Sequence, residues 1–366
     1  MKWSAGLPVP VRNVPVKVVQ QVMSEAKQQP KAVEATTLGR TNVLGKIVNP
    51  LEWGDLWILV VLFAFLFIFG ISAPGFLTLR NWLGTSVYAV EYLVLALGET
   101  FVIITAGIDL SVGSLLGLSA VAAGFVMQGL FKAGEPTWII VLFGVIGGMA
   151  AGTAAGFING LCITRLKISP LIVTLGMLGI ARGVTFLLSD GTDITEIPDV
   201  LGAFANTAIL GVVTAPVLIT ILTTVILWTV LHKTRFGRYT FAIGSNAEAA
   251  RLAGININRH LVKVYTLSGF LAALDGMLIL SRFVTASPLT GTNDELSAIS
   301  ATVIGGISLF GGRGNIIGSV VGAIIISVLV TGLILLNVQP YWQMVAIGVI
   351  LMVAVYADQR RHVGRR

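Results

Sequence analysis

Ten stretches of this chain are apolar for roughly the length that crosses a bilayer. A hydrocarbon core of about 30 Å needs about 20 apolar residues per helix. The stretches run over 56–72, 83–107, 111–129, 138–162, 170–188, 209–231, 262–282, 296–310, 315–336 and 341–356. Inside lipid the backbone has no water to bond, so each must satisfy its own polar groups, and each reads as a helix. A membrane barrel would show segments of about ten residues with alternating polarity instead, and the chain has none. Composition agrees, with 55% hydrophobic and 11% charged residues. A soluble domain carries about 25% charge, so this chain lacks the polar surface to cover a water-soluble globule. The expected fold is an all-α polytopic membrane protein of about ten transmembrane helices. The membrane domain is expected over 56–357.

The net charge of +7 could suggest nucleic acid, but its distribution argues against that. With the amino terminus inside, the inner segments are 1–55, 163–169, 232–263, 311–315 and 357–366. They hold 20 of the 24 Lys and Arg residues, whereas Arg80 and Lys132 are the basic residues of the outer loops. The outer loops carry acids, including Glu135, Asp190, Asp193, Glu196, Asp199, Asp294 and Glu295. This bias follows the positive-inside rule and places both termini in the cytoplasm. Residues 1–55 are polar and have no apolar core of signal-peptide length. They are expected to be a mostly disordered tail, with a short membrane-surface helix around Val14 to Met23. Residues 358–366 read as a basic tail.

Glycines mark the packing. Gly144, Gly148, Gly152, Gly156 and Gly160 form a ridge at spacing of four, the pattern that lets helix backbones approach closely in a membrane. The segment Gly107–Gly113 (GIDLSVG) is similar to 306–312 (GISLFGG), and each precedes a glycine-spaced apolar helix. Paired broken helices of this kind mark transporters built from two related halves. In the loop 232–263, Asn246 is a fitting N-cap, Ala247 to Ala253 are good helix formers, and Gly254 supplies a stop. A helix of two turns is marginal alone in water and needs something to dock against.

Four stretches together resemble the ribose-type monosaccharide permeases of bacterial ATP-binding-cassette (ABC) importers. They are Gly98–Ser114 (GETFVIITAGIDLSVGS), the loop Thr234–Asn256, the glycine-rich Glu295–Gly318 with Gly311 and Gly312, and the middle around Asn159, Ser169-Pro170 and Thr174. The likeness covers about residues 56–360. It implies an importer-type permease that pairs with a second copy or a paralogue. Its partners would be a cytoplasmic ABC ATPase and a periplasmic or lipid-anchored sugar-binding protein. By the same resemblance Ala247, Glu248, Ala249, Ala250 and Gly254 form the coupling helix. Gly107, Asp109, Ser111, Gly113, Gly311 and Gly312 belong to the structural motifs. The long amino-terminal tail departs from the family pattern, as does Glu99, where a neutral residue is commoner.

The chain has no Gly-xxxx-Gly-Lys-Ser/Thr loop, so ATP would be bound by a partner and no cofactor is expected here. Three histidines and the single Cys162 offer no metal site and no disulfide within the chain. No catalytic pairing stands out, so an enzyme is not expected. Ionisable residues inside the membrane are costly and tend to be functional. Glu91 and Glu99 are eight apart and share a helix face. Asp109 is placed to cap the helix starting near Ser111. Glu99, Asn159, Thr174 and Asn337 are candidates for the substrate pathway, by polarity and helix position. Two other readings stay open: a proton-coupled symporter using Glu91, Glu99 and Asp109, and an ABC permease for a nucleoside or an amino acid.

Overall fold

The computed structural model describes residues 56–363 apart from 210 and 212. The expected tail over 1–55, with its helix at Val14–Met23, lies outside the described residues, as do 364–366. Thirteen helices follow among the described residues: α1 (Leu56–Ser72), α2 (Leu79–Ile104), α3 (Val112–Lys132), α4 (Thr137–Arg165), α5 (Pro170–Ser189), α6 (Asp199–Asn206), α7 (Ala215–Lys233), α8 (Arg235–Ser245), α9 (Ala247–Leu252), α10 (Ile257–Phe283), α11 (Asp294–Ile304), α12 (Ile316–Leu335) and α13 (Pro340–Val363). A small antiparallel ribbon, β1 (Ala208–Ile209) with β2 (Val213–Thr214), leads into α7. Eight helices are long and apolar enough to cross a membrane: α2, α3, α4, α5, α7, α10, α12 and α13. Helix α1 is apolar but shorter.

Each expected stretch meets a helix, but one of them does not span. The stretch 296–310 is corrected to α11, which has 11 residues and ends at Ile304. At 1.5 Å per residue that is about 16 Å, half a bilayer. The cause is a helix stop. The Gly306 N–H donates to Val303 O (3.0 Å) and the Ile307 N–H to Thr302 O (3.1 Å), with Gly306 at φ 86°. This is a Schellman closure, which satisfies the last carbonyls of the helix. The same closure ends α2 at Ile104, short of the expected 107. Ala106 donates to Ile103 O (2.8 Å) and Gly107 to Val102 O (3.1 Å), with Ala106 at φ 62°. The internal likeness therefore extends to the backbone, shifted by one residue: Ala106, not Gly107, corresponds to Gly306.

Three other boundaries move. Helix α7 starts at Ala215 because the ribbon occupies the beginning of 209–231. The basic loop 232–263 contains a second helix, α8, and its last part already belongs to α10. Helix α13 runs to Val363, so 358–363 are helical rather than tail-like.

Helix α10 is the hub, packing against α4, α3 and α2. The glycine ridge makes this possible. A methyl group at Gly156 would overlap the Tyr265 carbonyl oxygen and stand 2.8 Å from Gly269 Cα. Along the same seam Gly160 meets Val262, while Gly152 meets Ser119 and Ala273. After α10 the chain folds back between α3 and its neighbours. Gly117 and Gly113 leave room for the carbonyls of Thr290 and Gly291. Asp294 and Glu295, expected in an outer loop, thus lie in the first turn of α11, packed beside the start of α3, and Glu295 is buried. Outside the bundle, Gln128 donates to Glu196 (2.5 Å), which holds that carboxylate below its usual range.

The seam makes a directional prediction. Gly156→Val should destabilise by about 3 kcal/mol, because backbone and not a flexible side chain fills the space. Gly179→Ala, with nothing within 4 Å of its added carbon, should be neutral or stabilising by about 0.5 kcal/mol. Thermal melting of the purified protein reads both, and equal melting temperatures would remove the seam from the account.

Candidate functional site

A polar centre forms where α2 breaks. Asp109 is fully buried, and its Oδ1 accepts from the Ser111 N–H (3.0 Å) and the Ser111 hydroxyl (2.5 Å). Its Oδ2 accepts from the Ser268 hydroxyl of α10 (3.0 Å). The carboxylate thereby fixes the turn that leads into α3, one step ahead of the cap expected from sequence, since Ser111 is itself the residue before the first helical position. Asn159 of α4 donates to the Ser111 hydroxyl oxygen (2.9 Å). Thr174 of α5 donates to Ile108 O (3.3 Å) and to Pro170 O (3.0 Å). Glu99, near the end of α2, faces Asp109 from within the bundle. Both of its carboxylate oxygens are buried without a protein hydrogen-bond partner, as are Asn159 Oδ1 and the Tyr265 hydroxyl. Three helices thus bring Glu99, Asn159 and Thr174 around one break, and α10 adds Ser268 and Tyr265.

Asn337 lies elsewhere. It is exposed, at φ 55°, in the turn between α12 and α13. Its N–H donates to Ile334 O (2.9 Å) and that of Val338 to Leu333 O (2.9 Å), another Schellman stop. Asparagine tolerates this left-handed conformation, which accounts for a polar residue there.

A second group of ionisable residues surrounds the start of α11. Glu91 of α2 and Asp294 are within hydrogen-bonding reach of each other, with Asp275 of α10 nearby. Arg182 of α5 donates to Pro288 O (2.7 Å) and Thr290 O (2.8 Å), pinning the chain that folds back. Asp294 and Glu295 were missed as interior residues, because an apolar run beginning at 296 hides a helix that starts two residues earlier, inside the bundle.

The third piece is the loop expected to dock a partner. Thr234 caps α8 by accepting from the Phe236 N–H (3.1 Å). Asn246 caps α9, accepting from the Ala249 N–H (3.0 Å), and Asn256 caps α10, accepting from the Arg259 N–H (2.9 Å). Glu248 pairs with Arg251 one turn on. Gly254, at φ 82°, closes α9 with its N–H on Arg251 O (2.9 Å). Ala247, Glu248 and Ala249 are exposed, Ala250 is buried, and Leu252 is 81% exposed. A helix of six residues thus presents an apolar side chain and an ion pair outward, while Ala250 anchors it.

This loop is joined to the breaks through backbone. A side-chain carbon at Gly244 in α8 would overlap Ile104 O and stand 2.6 Å from Gly312 N. The Gly312 N–H itself donates to Ile104 O (2.9 Å). Gly311 packs against Ala106 and the Gly244 carbonyl, and Gly312 packs against Ser245. The end of α2, the end of α8 and the 305–315 loop therefore meet at one point. Asp358 of α13 braces that loop, accepting from the Leu309 N–H (3.1 Å) and the Ser308 hydroxyl (3.3 Å).

Residues 81–355 match a family model described as branched-chain amino acid transport system / permease component. The chain is 41% identical over 303 residues to a ribose import permease protein of Bacillus subtilis (strain 168), covering 82% of this chain and 91% of that one. It is 41% identical over 273 residues to a fructose import permease protein of Rhizobium meliloti, covering 73% and 74%. It is 35% identical over 326 residues to a galactose/methyl galactoside import permease protein of Escherichia coli (strain K12), covering 84% and 95%. No solved structure matches the chain.

Asp109→Ala should leave the Ser111 N–H and two hydroxyls without their acceptor. A buried donor deprived of its partner costs about 1–3 kcal/mol, so the melting temperature should fall well below that of Ser268→Ala, which removes a single hydroxyl. Equal melting of the two variants would mean that Asp109 does not hold the break.

Proposed function

The chain belongs to this permease family, and on that premise we propose that it is the membrane-spanning subunit of an ABC importer that takes up a monosaccharide. The single observation that carries the reading is α9, a separately capped, outward-facing short helix that follows directly on the end of α8, which packs by backbone against the membrane breaks. A proton-coupled symporter has no use for such an element. The sugar imports named for the three relatives support a monosaccharide, while the description of the family model keeps an amino acid as the second reading.

In this reading the basic loops face the cytoplasm, both termini are cytoplasmic, and the membrane is the bacterial inner membrane. A cytoplasmic ATPase subunit binds and hydrolyses ATP and receives α9 in a groove, with Glu248 and Leu252 at the contact. A sugar-binding protein delivers substrate from the other side. A second copy or a paralogue completes the pathway. The permease itself performs no catalysis and holds no cofactor.

The work done on α9 by ATPase closure travels through the meeting point of Gly244, Ile104 and Gly312. There it reaches both helix stops at once, so α2 and α11 shift together as rigid bodies. The polar centre lies just beyond the α2 stop. Glu99, Asn159 and Tyr265 hold polar atoms free of protein partners there, suited to brief contacts with sugar hydroxyls. Thr174 borders the same place. Affinity belongs to the binding protein, so a sparse site is enough for the permease. Asn337 fits a helix-stop role better than a pathway role.

Two variants test this in the assembled transporter in lipid. Glu248→Lys should weaken ATPase binding, and sugar uptake should fall at least tenfold. Gly244→Ala should leave the ATPase bound while its hydrolysis no longer responds to sugar-loaded binding protein. Uptake that is intact in both variants and abolished by collapsing the proton gradient would overturn the ABC reading. Glu99→Ala with unchanged uptake would remove Glu99 from the pathway.

A further inference from the structure

An open groove of about 810 Å³ lies between α4 and α10, on the flank of the glycine seam. Its position follows from the seam. Gly152, Gly156 and Gly160 draw the two helices together, and the residues one place further on turn outward along the edge. At one end stand Arg165, in the last turn of α4, and Arg259 and Lys263, one turn apart on α10. All three are exposed. Beyond them the walls become apolar, with Leu161, Phe157 and Phe270, and the two phenylalanines are 44% and 42% exposed. From Arg165 to Thr153 the groove runs 12 residues along α4, about 18 Å at the helical rise.

We propose that this groove binds an anionic phospholipid from the leaflet on the side of the basic loops. The phosphate sits among Arg165, Arg259 and Lys263, and one acyl chain lies along Leu161, Phe157 and Phe270. Charge complementarity selects this occupant. Basic pockets between helices at the inner membrane surface are suited to anionic headgroups. A second copy of this chain is a poorer match. Among the described residues the acids at that level are Glu248, already paired with Arg251, and Asp358, already bonded to the 305–315 loop. A copy seated on the groove would set three cations against a face that offers, among the described residues, no free carboxylate. The length and apolarity of the groove suit a hydrocarbon chain, and a sugar would leave most of it empty. The site also has a mechanical consequence. Arg259 and Lys263 follow α9 directly, so a lipid held there would steady the start of α10 while α9 moves.

The test is native mass spectrometry of the purified full-length permease in neutral detergent, titrated with phosphatidylglycerol or phosphatidylcholine. The wild type should retain one phosphatidylglycerol with about ten- to a hundredfold preference, the scale set by three basic contacts near an anionic surface. The triple variant R165Q/R259Q/K263Q should lose that preference while melting at the same temperature. Thr153→Trp, which blocks the deep end and leaves the charges in place, should weaken retention of both lipids. Should the triple variant fail to fold, Lys263→Gln alone should still reduce the preference. Equal retention of both lipids by the wild type would overturn the proposal. So would a preference untouched by the charge changes. Efficient disulfide dimerisation of Phe157→Cys in a Cys162→Ser background would overturn it too, by assigning the groove to a second copy.

Discussion

Backbone groups inside a bilayer have no water to bond, and the architecture of this chain follows from how it meets that constraint wherever a helix stops early. Two helices end within the bundle, α2 at Ile104 and α11 at Ile304, and both end in the same Schellman closure. Backbone groups around the irregular segments are covered by charged side chains, Asp109 locally and Arg182 and Asp358 from distant helices. Asp109 takes the Ser111 N–H just ahead of α3, Arg182 takes two carbonyls of the segment that folds back, and Asp358 takes the Leu309 N–H. Each of these charged residues stabilises a break more than it decorates a cavity.

Close backbone contact is the second consequence. The glycine seam between α4 and α10 makes a rigid block, and the meeting of Gly244, Ile104 and Gly312 makes a joint. A rigid block with one tight joint transmits displacement well, since a packed interior does not deform smoothly. Glu99 sits close to the joint and buries its carboxylate beside Asp109. This combination, more than any affinity, distinguishes the polar centre from a structural network.

Much of this was legible in the sequence. Apolar length marked the helices, glycine spacing marked the seam, and the Asn246 to Gly254 pattern marked α9 with its N-cap and stop. The tie between Asp109 and the residue ahead of α3 was readable because its distance to Ser111 is local. Three features were not readable, each for a physical reason. Hydropathy cannot separate a short helix followed by a glycine turn from one continuous span, so α11 was drawn too long. Residues just ahead of that run looked like an outer loop, although the chain carries Asp294 and Glu295 back among α2, α3 and α5. Asn337 looked like a pathway residue from polarity alone, since an asparagine suits a left-handed helix stop as well as a polar pathway and only φ tells the two apart.

In the proposed importer α9 delivers the motion of an ATPase to the membrane breaks. The most direct measurement places a single cysteine at Leu252, in a Cys162→Ser background, and asks for a disulfide to cysteines introduced in turn around the expected groove of the ATPase subunit. The account predicts a cross-link in the assembled transporter whose yield changes between nucleotide-free and ATP-bound states, and sugar uptake that stops when the link is made and returns on reduction. A cross-link at no position, with uptake unaffected by ATP depletion, would contradict it.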